Sequence, residues 1–161
     1  MTGIRIAQPS DDDLVAQLLI RTFSHLYAAM DVKMSPAREA YLKDQAARRA
    51  FATAFVCEIA GEVVGTVTLV PPCPDSEAWI SGAWDLRLLA VDPRMQGRGI
   101  AGALIEAAEQ SASAAGATMM CLHARRGVAN QARFYLAGNY VRDPAGDLDT
   151  EPFQEGYRKS L

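Results

Sequence analysis

The feature that most limits what this chain can become is the run Leu86-Arg-Leu-Leu-Ala-Val-Asp-Pro-Arg-Met-Gln-Gly-Arg-Gly-Ile-Ala-Gly102, an apolar strand that passes through a glycine-rich turn into a helix. At such a junction the first helical residues carry backbone N–H groups without intrahelical partners, and the helix dipole adds partial positive charge at the same place. Gly97, Gly99 and Gly102 keep side chains clear of a ligand, while Arg94 and Arg98 add fixed cations suited to phosphate oxygens. The run reads as a pyrophosphate cradle.

Two other phosphate readings fail on the neighbouring residues. Gly97-x-Gly99-x-x-Gly102 matches the dinucleotide fingerprint in letters, but that fingerprint needs an acidic residue roughly 20 positions on. Thr118 to Arg126 holds no carboxylate, and the motif begins past the middle of the chain, which leaves too little sequence for a doubly wound domain. A nucleoside-triphosphate loop would need a Lys-Ser/Thr pair after the glycines, and none follows.

Gln96-Gly97-Arg98-Gly99-Ile100-Ala101 resembles the (Gln/Arg)-x-x-Gly-x-(Gly/Ala) signature of the GNAT-type N-acetyltransferases, and the Leu-Ala-Val-Asp-Pro lead-in is similar to theirs. Asn130-Gln-Ala-Arg-Phe-Tyr-Leu-Ala-Gly138-Asn-Tyr140 resembles the family's later Asn-x-x-Ala-x-x-(Phe/Leu)-Tyr-x-x-x-Gly-(Phe/Tyr) segment, with Ala132 and Phe134-Tyr135 one place closer than in some members. The resemblance implies an α/β (α+β) fold with a mixed, mostly antiparallel central sheet of about seven strands and about four flanking helices. It implies acetyl-coenzyme A as cosubstrate; with only two histidines in the chain, no metal is expected. Gln96, Gly97, Arg98, Gly99, Ile100, Ala101 and Gly102 would hold its pyrophosphate, and the backbone of Leu89, Ala90 and Val91 would meet the pantetheine arm.

A chain of 161 residues is a single-domain length that buries a sufficient core without metals or disulfides. Its formal charge of −3 argues against nucleic acid as a partner. Cys57, Cys73 and Cys121 are odd in number and widely spaced, which suggests neither a disulfide framework nor a zinc site. The N-terminus lacks the apolar core of a secretory signal, and no apolar run reaches the ~18 residues of a membrane span. The expectation is a cytoplasmic protein with no membrane partner.

Along the chain, Ile4 and Ile6 suggest a first strand, and Ser10-Asp-Asp-Asp13 reads as a capping box opening a helix with the stripe Leu14, Leu18, Leu19 and Phe23. A second helix is expected from Ser35, with Pro36 in its first turn, to about Ala50. Phe55–Ile59 and Val63–Val70 read as a hairpin about Gly61-Glu62, and a fourth strand as Trp79 to Val91. Alternation fails there at Leu88-Leu89-Ala90, consistent with a buried stretch or a β-bulge. In the resembled family a bulge at this point splays the sheet. Gly99 to Ala115 reads as a helix stopped by Gly116, Thr118 to His123 as a strand, Ala129 to Leu136 as a short helix, and Tyr140–Arg142 and Phe153–Lys159 as closing strands.

Acetyl transfer to an amine needs a held thioester, a neutral amine, help for the developing oxyanion and a proton for the departing thiolate. By resemblance Tyr135 is the candidate general acid, since a phenol of pKa about 10 stays protonated at neutral pH. The residues alone allow it merely to pack beside Phe134. Asn130 either bonds the cofactor or caps its helix. An ammonium must lose a proton before it attacks, and Asp85 is the first candidate base, although an ion pair with Arg87 accounts for it equally; Glu58 is a weaker alternative. His25 and His123 read as structural, and Cys121 as a buried thiol rather than an acyl carrier.

The acceptor pocket is expected from Phe23–Met34 and Pro72–Trp84. Tyr27, Met30, Trp79 and Trp84 there suit an apolar or aromatic amine, whereas Asp31, Asp75 and Glu77 suit a polyamine or a peptide N-terminus. The resemblance also implies a possible homodimer. A non-catalytic acyl-coenzyme A sensor would carry the same loop.

Overall fold

The computed structural model describes residues 3–128 and 130–161; Met1, Thr2 and Ala129, the last expected to begin the short helix, lie outside the described residues. Among the described residues, β1 (Gly3–Ile6), β2 (Thr53–Ile59), β3 (Glu62–Val70), β4 (Trp84–Val91), β5 (Met119–Arg125), β6 (Val141–Arg142) and β7 (Gln154–Ser160) form one sheet. Their spatial order is β1-β2-β3-β4-β5-β7-β6, and every neighbouring pair is antiparallel except β4 and β5. This is the mixed, mostly antiparallel seven-stranded sheet that the sequence suggests.

The helices are α1 (Asp12–Ala29), α2 (Pro36–Lys43), α3 (Gln45–Arg49), α4 (Ile100–Ala114) and α5 (Gln131–Ala137). One more helix is found than expected because the segment from Ser35 breaks at Asp44 (φ −94°, ψ 65°), whose carboxylate then caps α3 by accepting from Ala47 N at 3.1 Å. Buried Arg48 donates to the last carbonyls of α2, on Tyr41 and Leu42, and so fixes the kink. In α1 the buried stripe is Val15, Leu18, Leu19, Phe23 and Tyr27, while Leu14 is exposed, one helical step out of phase. Ser10 does not cap this helix; it lies in a 3-10 turn, Pro9–Asp11, that leads into it, and Asp11 closes that turn by accepting from Gln8 N at 2.7 Å while Arg5 grips its carboxylate.

Two cores sandwich the sheet. One lies under α4, where Ile100, Leu104, Ala108 and Ala112 are buried at helical spacing against Val64, Val67, Met120 and Leu122. The other lies under α1 and α2, with Val15, Leu19, Phe23 and Leu42 against Val56, Leu88 and Ala90. Gly65 on β3 sets the height of α4, since a Cβ there would stand 3.0 Å from both Ile100 and Leu104. The N-terminus of α4 is thereby pressed onto the sheet directly beside β4.

The fourth strand begins at Trp84, later than Trp79, because Ala83 N bonds Ile80 O in a turn through Gly82 (φ +78°). Trp79 instead donates from its indole to Asp143 at 2.8 Å. β5 runs on to Arg125, past the His123 end expected for it, because β7 pairs with it along its whole length.

Candidate active site

β4 carries the irregularity that opens the site. Thr66 on β3 faces Ala90 and Thr68 faces Arg87, so Val67 alone opposes both Leu88 and Leu89, and Leu88 takes φ +57°. A Leu in the left-handed region costs on the order of 1 kcal/mol or more, a strain the surrounding core must hold in place. On its other edge β4 pairs with β5 only through Trp84, Asp85 and Leu86. Beyond Leu86 the two parallel strands part, and among the described residues the edge of β4 that includes Leu89, Ala90 and Val91 has no strand beside it. The bulge suggested by the broken alternation is present, at the point where the sheet splits.

Directly after β4 the chain enters the glycine loop. Asp92, nearly buried, accepts from Arg94 N at 2.9 Å and from the Arg94 and Arg21 guanidinium groups, which brings the turn into register. Arg94 is thus committed to Asp92 and braces the turn, whereas exposed Arg98 sits inside the loop. Gly97 and Gly99 both take φ +77°, and among the described residues nothing beyond their chain neighbours comes within 4 Å of where a Cβ would stand. Ala103 is the first residue of α4 to find a backbone acceptor, Gly99 O at 3.1 Å, so the N–H groups of Ile100, Ala101 and Gly102 precede it without one. α4 has no acidic residue in its first turn to compete for an anion. Gln96 reaches back toward Val91 O at 3.4 Å; Ile100 is buried and contributes only its backbone. A bare, positively polarised loop beside an unpaired strand edge fits a diphosphate followed by an amide-bearing arm.

From Gly102 a cavity of about 490 Å³ extends between α4 and α5, lined by Ile105, Phe134, Gly138 and Tyr135. Tyr135 is 6% exposed and also lines a second cavity of about 60 Å³ on the far side of the split, with Leu88, Leu89, His123 and Arg125. Burial pushes its phenol up to about 12, with Arg125 pulling partly the other way. Asn130, in the left-handed region at φ 69°, makes no side-chain cap to α5 and is exposed. The capping alternative for Asn130 therefore has no bond behind it.

His123, read from the sequence as structural, lines this cavity from β5. Its Nε2 is 2.8 Å from Gly146 O, and since a carbonyl only accepts, that nitrogen carries the proton and Nδ1 is left as a base. Nδ1 stands 3.8 Å from a Glu77 carboxylate oxygen, and the ring packs at 5.2 Å on Trp79. Gly146 is required here, because a Cβ on it would collide with Trp79. Asp85 lies elsewhere. Its carboxylate is 1% exposed, accepts from Glu77 N at 3.0 Å and from Arg87 Nε at 2.9 Å, and does not line the cleft. Glu58 pairs with Arg5 at the other end of the sheet, and Cys121 is fully buried, its thiol pushed up by burial.

The sequence profile described as the acetyltransferase (GNAT) domain matches residues 50–142, which span the hairpin, the bulge, the glycine loop and α5. The chain belongs to the GNAT acetyltransferase family. Among curated proteins none matches this GNAT chain. Solved structures do: a GNAT-family acetyltransferase from Staphylococcus aureus Mu50 shares the fold at a TM-score of 0.78 and 12% identity, with 100% of this chain and 99% of that one covered. The PaiA N-acetyltransferase of Thermoplasma acidophilum, solved with coenzyme A, gives 0.77 at 14% identity over 100% and 99% of the two chains. A GNAT acetyltransferase from Brucella melitensis, solved with acetyl-coenzyme A, gives 0.69 at 21% identity over 100% and 88%.

Within this GNAT domain the structure brings together Leu89, Tyr135, His123 and Arg125, and sets the glycine loop at the end of the same strand. The sequence reading singled out neither Arg125 nor Arg38, which on α2 lines an adjoining cavity together with Arg125 and His123. His123 and Arg125 alternate at the polar end of an otherwise apolar strand, Met-Met-Cys-Leu-His-Ala-Arg, and that change of character was the available signal. Among the described residues no group of three or more His, Cys, Asp or Glu stands close enough to hold a metal, and no helix is long and apolar enough to cross a membrane.

Proposed function

We propose that this chain transfers the acetyl group of acetyl-coenzyme A to a primary amine by direct attack in a ternary complex. The observation that carries the reading is the split between β4 and β5, which opens beside the bare amides of the glycine loop. The cosubstrate supplies an activated acyl carbon as a thioester. Gln96 to Gly102 hold its diphosphate through backbone N–H groups and Arg98, with Asn130 adding a hydrogen bond. Leu89, Ala90 and Val91 offer the unpaired edge of β4 to the amides of its arm. Fixing remote groups in this way converts binding into orientation at the reacting carbon.

A backbone N–H at the bulge is placed to polarise the thioester carbonyl. His123 Nδ1 takes the proton of the incoming amine, and Nε2–H on Gly146 O holds the ring for that role. Asp85 serves instead to hold Arg87. Tyr135 donates a hydrogen bond to the sulfur as the C–S bond breaks, and the thiolate takes its proton from water as it leaves. A phenol pushed up to about 12 gives a thiolate of conjugate pKa about 8.5 a hydrogen bond more readily than a full proton. With Cys121 buried and its thiol raised, a covalent acyl-enzyme has no support.

The test is thiol release from acetyl-coenzyme A across a panel of amines, run beside thermal stabilisation by coenzyme A alone. Turnover on one class of amine is expected. Stabilisation without turnover on any amine would make the domain an acyl-coenzyme A sensor instead.

A further inference from the structure

The acceptor side of the cleft holds cations where a pocket for a polyamine would hold carboxylates. A third cavity, also about 60 Å³, adjoins the one at Tyr135 and shares Phe23, Leu86, Arg87, Leu88, His123 and Arg125 with it; Arg38, Tyr41, Glu77 and Gln154 complete its wall. Arg87 is balanced by Asp85 and, at 3.8 Å, by Glu77. Arg38 and Arg125 are not balanced. Neither forms a salt bridge among the described residues, and the Nε atom of each is buried without a hydrogen-bond partner. Both guanidinium groups lie against one ring, Phe23, with centroid distances of 5.4 Å for Arg38 and 4.9 Å for Arg125.

Two like charges brought to the same aromatic ring from α2 and β5, in one cavity, are an arrangement that folding alone does not favour. Ring faces attract cations but leave the in-plane N–H donors of a guanidinium unfilled. Burial first, and then the neighbouring Arg38 charge, push the Arg125 guanidinium below its ordinary value, with the Tyr27 hydroxyl pulling partly the other way. A carboxylate between the two forks would accept from both and remove the repulsion. Glu77, half-exposed, lines the same cavity beside His123 Nδ1. Two cations without carboxylate partners and a carboxylate beside a base, in one cavity, match a zwitterion.

We propose that the acceptor is a small amino acid, its carboxylate held by Arg38 and Arg125 and its amine placed beside Glu77 and His123. This rests on the transferase reading above for what happens to the amine, but the anion site stands on its own geometry. At the Glu77 end the ammonium is drawn in as a cation. His123 takes one of its protons, and the amine nitrogen is left facing the cavity that Tyr135 and Leu89 share.

The experiment uses matched triplets, an α-amino acid with its amide and its decarboxylated amine, across apolar, aromatic and polar side chains. Thiol release and calorimetric binding in the presence of coenzyme A are measured for each. The acid of at least one triplet should exceed its amide by about 10-fold or more in kcat/KM and in affinity. In Arg38→Gln and Arg125→Gln that acid-to-amide ratio should fall to within about 3-fold, a readout that loss of folded protein does not move. Amides or decarboxylated amines used as well as the acids would overturn the proposal and leave the transferase reading intact. Acids bound in preference to amides without thiol release would uphold the anion site and sink the transferase reading. Neither binding nor turnover of any acid, with a polyamine or other amine turned over, would again overturn the proposal alone; no binding and no turnover of anything would overturn both.

Discussion

Leu86 and Leu88 are two residues apart on one strand and pack into opposite cores, Leu86 with Leu104 and Leu122 under α4, Leu88 with Phe23 and Val15 under α1. In a regular strand residues two apart share a face. The extra residue at the bulge reverses the parity, so that Trp84 and Leu86 before it, and Leu89 and Val91 after it, all serve the α4 core. The same insertion turns β4 away from β5 at Leu86. Packing thus holds the cleft open, and the energy that maintains the strained Leu88 comes from its own burial.

Removing the extra residue should close the cleft. Deletion of Leu88 restores unbroken alternation, with Leu86, Leu89 and Val91 still facing α4, and lets β4 continue beside β5. Coenzyme A affinity measured by calorimetry should drop by about 10-fold or more. Leu88→Gly supplies the contrast, because glycine takes φ +57° freely and keeps the bulge while forfeiting a buried side chain, at about 2–4 kcal/mol of stability. Its coenzyme A affinity should stay within about 3-fold of the parent. Equal losses in both variants would show that the Leu88 side chain, not the shape of the strand, matters.

The turn into the glycine loop carries its own pH signature. Hydrogen bonds from the Arg94 side chain, and then from its backbone N–H with the Arg21 charge, hold the Asp92 carboxyl down to about 2 from the ordinary 3.8. A lowered carboxyl stabilises the fold above its unfolded pKa, and that contribution is lost as pH falls through the folded value. Asp92→Asn should therefore be less stable than the parent at pH 7 by on the order of 1 kcal/mol, since exposed Arg21 and Arg94 screen the full shift. Urea melts should show this gap constant down to about pH 4 and nearly gone by about pH 2. A gap independent of pH would assign the effect to shape rather than charge.

The parts of the candidate site that the sequence shows are the local ones. The loop residues Gln96 to Gly102 lie next to one another, and the lapse in alternation at Leu88 marks the bulge by itself. Asp85 shows the limit of such reading: a polar residue in a central strand was evident, but the burial of its carboxylate and its bond from Glu77 N depend on the loop that folds over it. The break at Asp44 was hidden because its cause, Arg48 turning back on the carbonyls of Tyr41 and Leu42, needs a buried arginine that helical spacing does not reveal. Arg38 and Arg125 meet only because α2 and β5 converge on Phe23. No pattern along the chain encodes that encounter.

The raised phenol of Tyr135 sets how its role depends on pH. Because its pKa is pushed up to about 12, the hydroxyl keeps its proton throughout the range in which the protein is folded and active. The profile of kcat against pH should show no descending limb from this group below about pH 11, where an ordinary tyrosine would bring one near pH 10. Tyr135→Phe should lower kcat roughly 10-fold or more, with coenzyme A affinity within about 2-fold. A limb centred near pH 10 that vanishes in Tyr135→Phe would place the phenol in water rather than in the cleft.

His123 separates proton transfer from positioning. If Nδ1 accepts the proton of the incoming ammonium, its loss matters most where that ammonium is stable, and an amine of pKa about 10 is almost wholly protonated at pH 7. Each unit of pH above neutrality raises the free amine about tenfold until the pKa is reached, and does for the variant what the imidazole does for the parent. His123→Gln should accordingly show a deficit in kcat/KM of roughly 100-fold at pH 7 that narrows steadily toward pH 9.5. Gln preserves a donor for Gly146 O, so the packing against Trp79 is the main structural loss, and that loss does not vary with pH. A deficit of constant size across this range would leave the imidazole holding its neighbours in place and return the proton to water or to Glu77.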